Sequence, residues 1–202
     1  MNNNTKEMDK ILTLAKKLGF LRVRDLLSRG IHSEYLRRLC NKGLLVRMGR
    51  GLYRLAGAEV SENITLTAVA KRIPNGVICI LSALRFHRIG TQNPSAVWVA
   101  LKQRAAYPRG KDLPIRIVRF SASSHVSGVE NHILDGVPVR ITNPAKTVCD
   151  CFKYRNKIGL DVALEALKEC IRTRKATPAD LWKYAKVCRV ANVMRPYLEA
   201  VE

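Results

Sequence analysis

Glycine residues divide the N-terminal part of the chain into short segments, and their spacing limits the folds open to it. Apolar residues at helical spacing predict a helix over Glu7–Leu18, which ends at Gly19. A second short helix is predicted over Val23–Arg29, with Leu27 among its inward-facing residues. Gly30 ends that helix. The segment therefore consists of two short helices, with room for a tight turn after the second.

A third helix and a hairpin complete the N-terminal pattern. Ser33 is a suitable N-cap for a helix that runs to about Lys42, where Gly43 ends it. Two β-prone runs then flank Gly49-Arg50-Gly51, which predicts a hairpin. Two helices joined by a turn and followed by a hairpin are the plan of a winged helix-turn-helix. We assign residues 1–57 to such a domain.

The third helix has an apolar face and a polar, basic face. Leu36, Leu39 and Cys40 are expected to pack on the first two helices. The opposite face suits a DNA groove, because Arg and Asn pair with base edges and Lys neutralises phosphates. Candidate DNA-binding residues in and around this helix are Ser33, Tyr35, Arg37, Arg38, Asn41 and Lys42. Further candidates are Arg47 and Arg50 on the wing, with Arg22 and Arg24 near the second helix as phosphate contacts.

The charge balance favours a polyanionic partner. The chain carries 36 Lys and Arg residues against 16 Asp and Glu residues, a net charge of +20, which repels itself and attracts polyanions. Residues 1–57 hold 13 basic and four acidic side chains, a net of +9. The alternatives for this region are a basic face that is merely solvated, and a winged helix that binds RNA or protein.

Residues 58–202 are predicted to form a mixed domain with a small β-sheet and several helices. A strong two-residue hairpin signal is Asp135-Gly136, and Asn143-Pro144 and Thr177-Pro178 are helix starts with a cap followed by proline. The whole chain is therefore expected to be α+β. The predicted strands are Val97–Leu101, Ile115–Phe120, His132–Leu134 and Val137–Ile141, and the predicted helices include Ile64–Ile73, Leu160–Ile171 and Val190–Val201.

The second domain is basic too, with a net charge of +11. Its span Lys102–Arg119 is open to two interpretations: a solvated loop and sheet face, or a second polyanion-binding surface. The charged residues of this span are Lys102, Arg104, Arg109, Lys111, Asp112, Arg116 and Arg119.

Signs of catalysis, metal binding and membrane insertion are weak. Glycine-rich nucleotide loops and G-x-S-x-G are absent from the sequence, and Asp150 among apolar neighbours is more typical of a structural carboxylate. None of the six cysteines forms a C-x-x-C pair, so we expect reduced core thiols and no metal. No apolar stretch approaches the roughly 20 residues that span a bilayer. We expect a cytoplasmic protein that is not an enzyme and has no cofactor or membrane partner.

The order of these features resembles the AbiEi antitoxins of type IV toxin–antitoxin systems over nearly the whole chain. The resemblance rests on the wing sequence Arg47–Arg54, on Leu81–His87 and above all on Asp135–Asp150. It implies an N-terminal domain that binds inverted repeats in the promoter of its own operon and represses it. It also implies a C-terminal domain needed for antitoxicity.

The resemblance implies two partners. One is double-stranded DNA, with two molecules expected on each operator and a monomer in solution, since helix-turn-helix proteins often bind paired half-sites. The other is a nucleotidyltransferase-like toxin, which need not form a stable complex with the antitoxin. The alternatives are a stand-alone regulator without a toxin, a winged-helix-guided enzyme that modifies nucleic acid, and an interaction protein whose basic second domain binds an acidic partner.

Overall fold

The structure is a computed structural model that describes residues 3–58, 61–108 and 113–200, with side chains from residue 5 onward. Arg109, Lys111 and Asp112 of the basic span lie outside the described residues. The chain divides into two compact units. The first comprises Met1–Pro74, Pro108–Leu113 and Ile133–Pro138, and the second comprises Asn75–Tyr107, Pro114–His132 and Val139–Glu202.

The first unit contains the predicted helix-turn-helix and wing, with one strand that the sequence analysis did not predict. That strand, β1, pairs antiparallel with β3, and the small sheet has the order β1-β3-β2. The elements are α1 (Asn3–Leu18), β1 (Phe20–Arg22), α2 (Val23–Leu27), α3 (Glu34–Asn41), β2 (Leu45–Gly49), β3 (Leu52–Leu55) and α4 (Ile64–Arg72).

The helices of the first unit enclose one apolar cluster. Ile11 of α1, Leu26 of α2 and Leu39 of α3 are fully buried in it. Leu27 was predicted to face inward and is 59% exposed, so that prediction was wrong. Helix α2 has only five residues, and a helix that short buries a single position rather than an apolar stripe.

A second apolar cluster joins α4 to the small sheet. Phe20 of β1 and Leu52 of β3 pack with Ala68 of α4 and with Val137, all four being buried. The sequence analysis placed a domain boundary after residue 57. Strand β3 ends at Leu55, and α4 lies in the same compact unit as the wing, so the boundary after residue 57 stays a prediction.

The second unit is built on a five-stranded mixed sheet of order β6-β5-β4-β8-β7. Strand β4 runs antiparallel to β5 and parallel to β8, and β5 runs parallel to β6. The strands are β4 (Val77–Ile78), β5 (Val97–Lys102), β6 (Ile115–Phe120), β7 (Val129–Leu134) and β8 (Val137–Thr142). The helices are α5 (Ile80–His87), α6 (Pro144–Lys153), α7 (Arg155–Ile158), α8 (Leu160–Arg172), α9 (Pro178–Cys188) and α10 (Ala191–Glu199).

Local sequence signals account for the main turns of this part of the chain. Asn143 caps α6, since its Oδ1 accepts a hydrogen bond from the Lys146 backbone N–H at 2.8 Å. Thr177 and Asp180 form a capping box at the start of α9. Positive φ angles at Asp135 and Gly136 make the two-residue turn between β7 and β8. The α+β prediction is confirmed, and the short β4 and α7 were not predicted.

A buried ion pair lies inside the core of the second unit. Lys146 Nζ donates to both carboxylate oxygens of Asp150, at 2.6 and 2.7 Å, and both side chains are fully buried. The ammonium also lies 4.4 Å from the centroid of the Phe120 ring, and Cys188 Sγ donates to Asp150 Oδ1 at 3.3 Å. Burial opposes the charged form of Lys146, but the Asp150 carboxylate outweighs it and raises the pKa of Lys146. Burial raises the pKa of Asp150, and the ammonium opposes that shift.

Replacing Gly19 by alanine should destabilise the protein more than the same change at Gly43. Both glycines have φ near +70°, where a Cβ costs about 1–2 kcal/mol. A Cβ at Gly19 would also collide with the backbone oxygen of Asp135, whereas one at Gly43 would meet nothing within 4 Å. Thermal unfolding followed by circular dichroism compares the two variants. Equal losses of stability would show that the contact between Gly19 and Asp135 is not maintained.

The Asp150→Asn variant should lose about 3–5 kcal/mol of unfolding free energy, because it leaves the Lys146 ammonium buried without a counter-charge. Urea unfolding followed by tryptophan fluorescence measures the loss. The control is the double variant Lys146→Met with Asp150→Leu, which removes both charges and should lose less than the single variant. A single variant as stable as the parent would contradict the buried ion pair.

Candidate nucleic-acid interface

The third helix of the first unit is anchored by its apolar face. Leu36 and Leu39 are buried in the cluster beneath α3, as the sequence predicted, and Cys40 is half-buried. Arg37 and Arg38 lie on the outward side, with side chains 74% and 48% exposed. An exposed basic face on a helix fixed from beneath can enter a groove without rearrangement of the core.

An acidic residue that the sequence analysis overlooked organises these arginines. Glu34 Oε1 accepts a hydrogen bond from Arg37 Nη2 at 2.7 Å and lies 3.7 Å from Arg38 Nε. The hydrogen bond from Arg37 is the main reason that the pKa of Glu34 lies below its usual value. The sequence could have predicted these two contacts, because Arg37 and Arg38 follow Glu34 by three and four residues and residues at those spacings share a helix face.

Ser33 precedes α3 but does not cap it through its side chain. Its backbone is already helical, with φ −64° and ψ −18°, whereas a capping side chain needs an extended backbone. The Glu34 backbone N–H donates instead to Nδ1 of His32, at 3.2 Å. Ser33 therefore occupies the predicted N-cap position without the side-chain hydrogen bond of a cap, and the residue is half-buried there.

Tyr35 differs from the sequence-based expectation that it shares the exposed stripe with Arg38 and Lys42. Its ring is half-buried and packs against the apolar cluster of the first unit. Arg38 stacks over it, with Cζ 5.6 Å from the ring centroid. Tyr35 thus supports Arg38 from below, and the groove-facing role expected for its own side chain stays a prediction.

The end of α3 presents two further polar side chains. Asn41 is the last helical residue and is exposed. Lys42 is the C-cap residue and is also exposed, although its Nζ lies 3.7 Å from the sulfur of Met8. They follow Arg38 by three and four residues, spacings at which helical residues share a face, and their contact with DNA stays a prediction.

The two candidate arginines of the wing lie close to the hairpin tip. Arg47 on β2 is exposed, and its Nε donates to the backbone oxygen of Gly49 at 3.2 Å. The pairing of β2 with β3 shifts register between Arg47 and Gly49, which gives the hairpin an irregular end. Arg50 is exposed at the turn itself.

The two arginines near α2 have different environments. Arg22 is half-buried, and its guanidinium donates to Asp25 Oδ1 at 3.4 Å and to the backbone oxygen of Lys71 at 3.0 Å. Arg24 is exposed. Arg22, Arg24 and Arg50 line one cavity, which the candidate residues of α3 do not line.

In the second unit, the described residues offer little to a catalytic mechanism. Asp150 is committed to Lys146 in the core, and His87 is mostly buried, its Nε2 donating to the backbone oxygen of Thr142 at 2.7 Å. No group of three or more potential metal ligands occurs within residues 3–58, 61–108 and 113–200. Five of the six cysteines are buried, and burial raises the pKa of Cys188 to about 12 and that of Cys170 to about 11.

The basic span between β5 and β6 is partly engaged with the protein itself. Arg119 donates to the backbone oxygen of Lys102 at 3.0 Å and stacks on the Tyr107 ring. Arg116 lies 5.5 Å from the centroid of the Trp98 ring. The interpretation of this span as a second polyanion-binding surface stays a prediction.

Among the helices of the described residues, none is long and apolar enough to cross a membrane.

Comparison with known proteins agrees with this description. The crystal structure of the RV2827C protein from Mycobacterium tuberculosis is similar in fold, with a TM-score of 0.66 over 97% of this chain and 77% of that one. The two sequences are 13% identical, so the likeness concerns the fold alone. No curated protein matches the chain by sequence.

The segment with the basic helix and wing is also the segment that sequence comparison recognises. The match covers residues 9–56, from within α1 to just beyond β3, and the family is described as a transcriptional regulator and AbiEi antitoxin. The resemblance seen in the sequence is confirmed over these residues, which match the model of the AbiEi antitoxin and transcriptional regulator family.

Proposed function

We propose that the protein is a transcriptional repressor that binds inverted repeats in its own promoter and acts as the antitoxin of a type IV toxin–antitoxin system. The observation that carries the proposal is an exposed pair of arginines on a helix anchored from beneath, followed at once by a basic wing. This arrangement suits a major groove and an adjacent backbone strand. The family match over the same residues supports the regulatory role.

The proposal assigns separate tasks to the two parts of the chain. The winged helix supplies operator binding, with one molecule on each half of an inverted repeat and a monomer free in solution. The second unit contributes to antitoxicity against a nucleotidyltransferase-like toxin without a stable complex between the two proteins. Since operator DNA and the toxin are both expected in the cytoplasm, the proposal includes a cytoplasmic location for the protein.

The nucleic-acid-modifying alternative depends on Asp150. The Asp150 carboxylate is fully buried and forms an ion pair with Lys146. No observation on the described residues therefore favours the enzymatic alternative over the regulatory function. The interaction-protein alternative depends on the basic span near β6, where Arg116 and Arg119 lie over aromatic rings of the same unit.

Arg38→Ala should weaken binding to the promoter by about five- to a hundredfold, as expected for loss of one base contact worth about 1–3 kcal/mol. Binding to a scrambled duplex of equal length should change far less. Fluorescence anisotropy with both labelled duplexes gives the two affinities.

The control for Arg38→Ala is Arg172→Ala in the second unit. Arg172 is an exposed arginine that pairs with a glutamate on its own helix, as Arg38 pairs with Glu34, so the loss of one charge and one surface ion pair is matched. The control should bind the promoter like the parent. If Arg38→Ala also binds like the parent, α3 is not the recognition helix.

In cells whose growth is arrested by the proposed nucleotidyltransferase-like toxin, co-expression of this protein should restore growth. Affinity purification of either the toxin or this protein should recover little of the other. Growth of cells under separate inducers measures the rescue. Growth arrest that persists despite full expression of this protein would leave the stand-alone regulator as the better description.

A further inference from the structure

A basic cavity of about 350 Å³ lies within the first unit, between the start of α2, the tip of the wing and the end of α4. None of the described residues that line it is acidic. The basic side chains that line it are Arg22, Arg24, Arg50, Lys71 and Arg72. Two of these five residues lie on α4, outside the segment that matches the AbiEi family.

Hydrogen bonds accepted by main-chain oxygens hold the three elements together around the cavity. Arg22 Nη1 donates to the Lys71 backbone oxygen at 3.0 Å, and Arg72 Nη1 donates to the Arg50 backbone oxygen at 3.3 Å. The Val23 backbone N–H donates to the Gly51 oxygen at 3.3 Å. Since Ala68 also packs beside Leu52, α4 is fixed to the wing and does not merely pass near it.

Positive charges of the cavity act on Lys71. Burial lowers the pKa of Lys71, Arg22 and Arg24 lower it further, and Asp25 opposes these shifts. Asp25 already accepts hydrogen bonds from the Arg22 backbone and guanidinium. The Nε of Arg22 is buried and has no hydrogen-bond partner among the described residues. An anion in the cavity would relieve the repulsion among these like charges.

We propose that this basic cavity binds a phosphate group of the DNA backbone, so that Lys71 and Arg72 extend the DNA-binding surface from the winged helix onto α4. The inference rests on the proposed DNA-binding function and adds α4 to it. The volume is near the lower end of the range of about 300–1,000 Å³ for small-molecule sites, which suits a phosphate with part of its sugar. Arginine and lysine are the side chains that proteins use for such contacts.

The double variant Lys71→Gln with Arg72→Gln tests the inference in the full-length protein. Its affinity for DNA should fall roughly three- to tenfold, by the same factor on the promoter and on a scrambled duplex, because a phosphate contact carries no sequence information. The plot of log affinity against log salt concentration should become less steep by about 1. Fluorescence anisotropy over a range of NaCl concentrations gives both quantities.

The matched control is Lys16→Gln with Lys17→Gln. This pair also consists of two adjacent basic residues in the last turn of a helix of the first unit, so the lost charge and the helix-end effect are the same. The control should keep the parent's salt dependence. If both double variants lose affinity and slope equally, the effect is one of net charge and the cavity has no special role.

The two proposals fail in different ways. A parent protein that does not bind its promoter would refute the DNA-binding function itself. The other outcome concerns the cavity alone. If the parent binds its promoter and Arg38→Ala weakens that binding, but the α4 double variant keeps the parent's affinity and salt dependence, the inference about the cavity is overturned.

A second measurement avoids any effect of the substitutions on folding. In the unaltered protein, duplex DNA should protect the Lys71 amine from acylation by an N-hydroxysuccinimide ester, read by mass spectrometry, and should leave Lys16 and Lys17 reactive. An arm with inorganic phosphate at the same concentration of phosphate groups distinguishes a DNA site from a site for free phosphate. Protection by inorganic phosphate without protection by DNA would overturn the proposal.

Discussion

Repulsion among its own cations is the constraint that shapes this protein. A net charge of +20 on 202 residues works against compaction, so the placement of the few acidic side chains is decisive. In the first unit, Glu34 lies between Arg37 and Arg38, and Asp25 holds Arg22. Each of these acids both neutralises a cation and orients it. The basic surface is therefore a set of positioned guanidinium groups rather than a diffuse patch.

The second unit meets the same constraint inside its core. Lys146 would be expelled from an apolar interior if Asp150 did not accept both of its hydrogen bonds there. The pair lies within Asp135–Asp150, the segment on which the resemblance in the sequence chiefly rests. That segment contains the two-residue turn, strand β8, the Asn143 cap and the ion pair, so its pattern encodes a structural element rather than a catalytic one.

Local signals predicted the helices and the hairpins well because glycines and caps act within a few residues. What they could not predict depends on distant partners. Strand β1 has three residues and exists because β3 pairs with it from thirty or so positions further along the chain. Helical spacing assigns Tyr35 to the outer face of α3, yet its ring packs against the apolar cluster. At Ser33, the residue type suits a cap, but the helical backbone and the ring of His32 decide otherwise.

Sequence periodicity could not connect the wing with α4, because a polar joint separates them along the chain and they meet through the packing of Ala68 and through long-range hydrogen bonds. The hydrogen bonds that join them are accepted by backbone oxygens at Lys71 and Arg50, not by those side chains. Substitutions at these two positions can therefore alter the charge of the cavity while both hydrogen bonds persist. The charge of this surface and the packing that holds α4 against the wing thus depend on different atoms of the same residues.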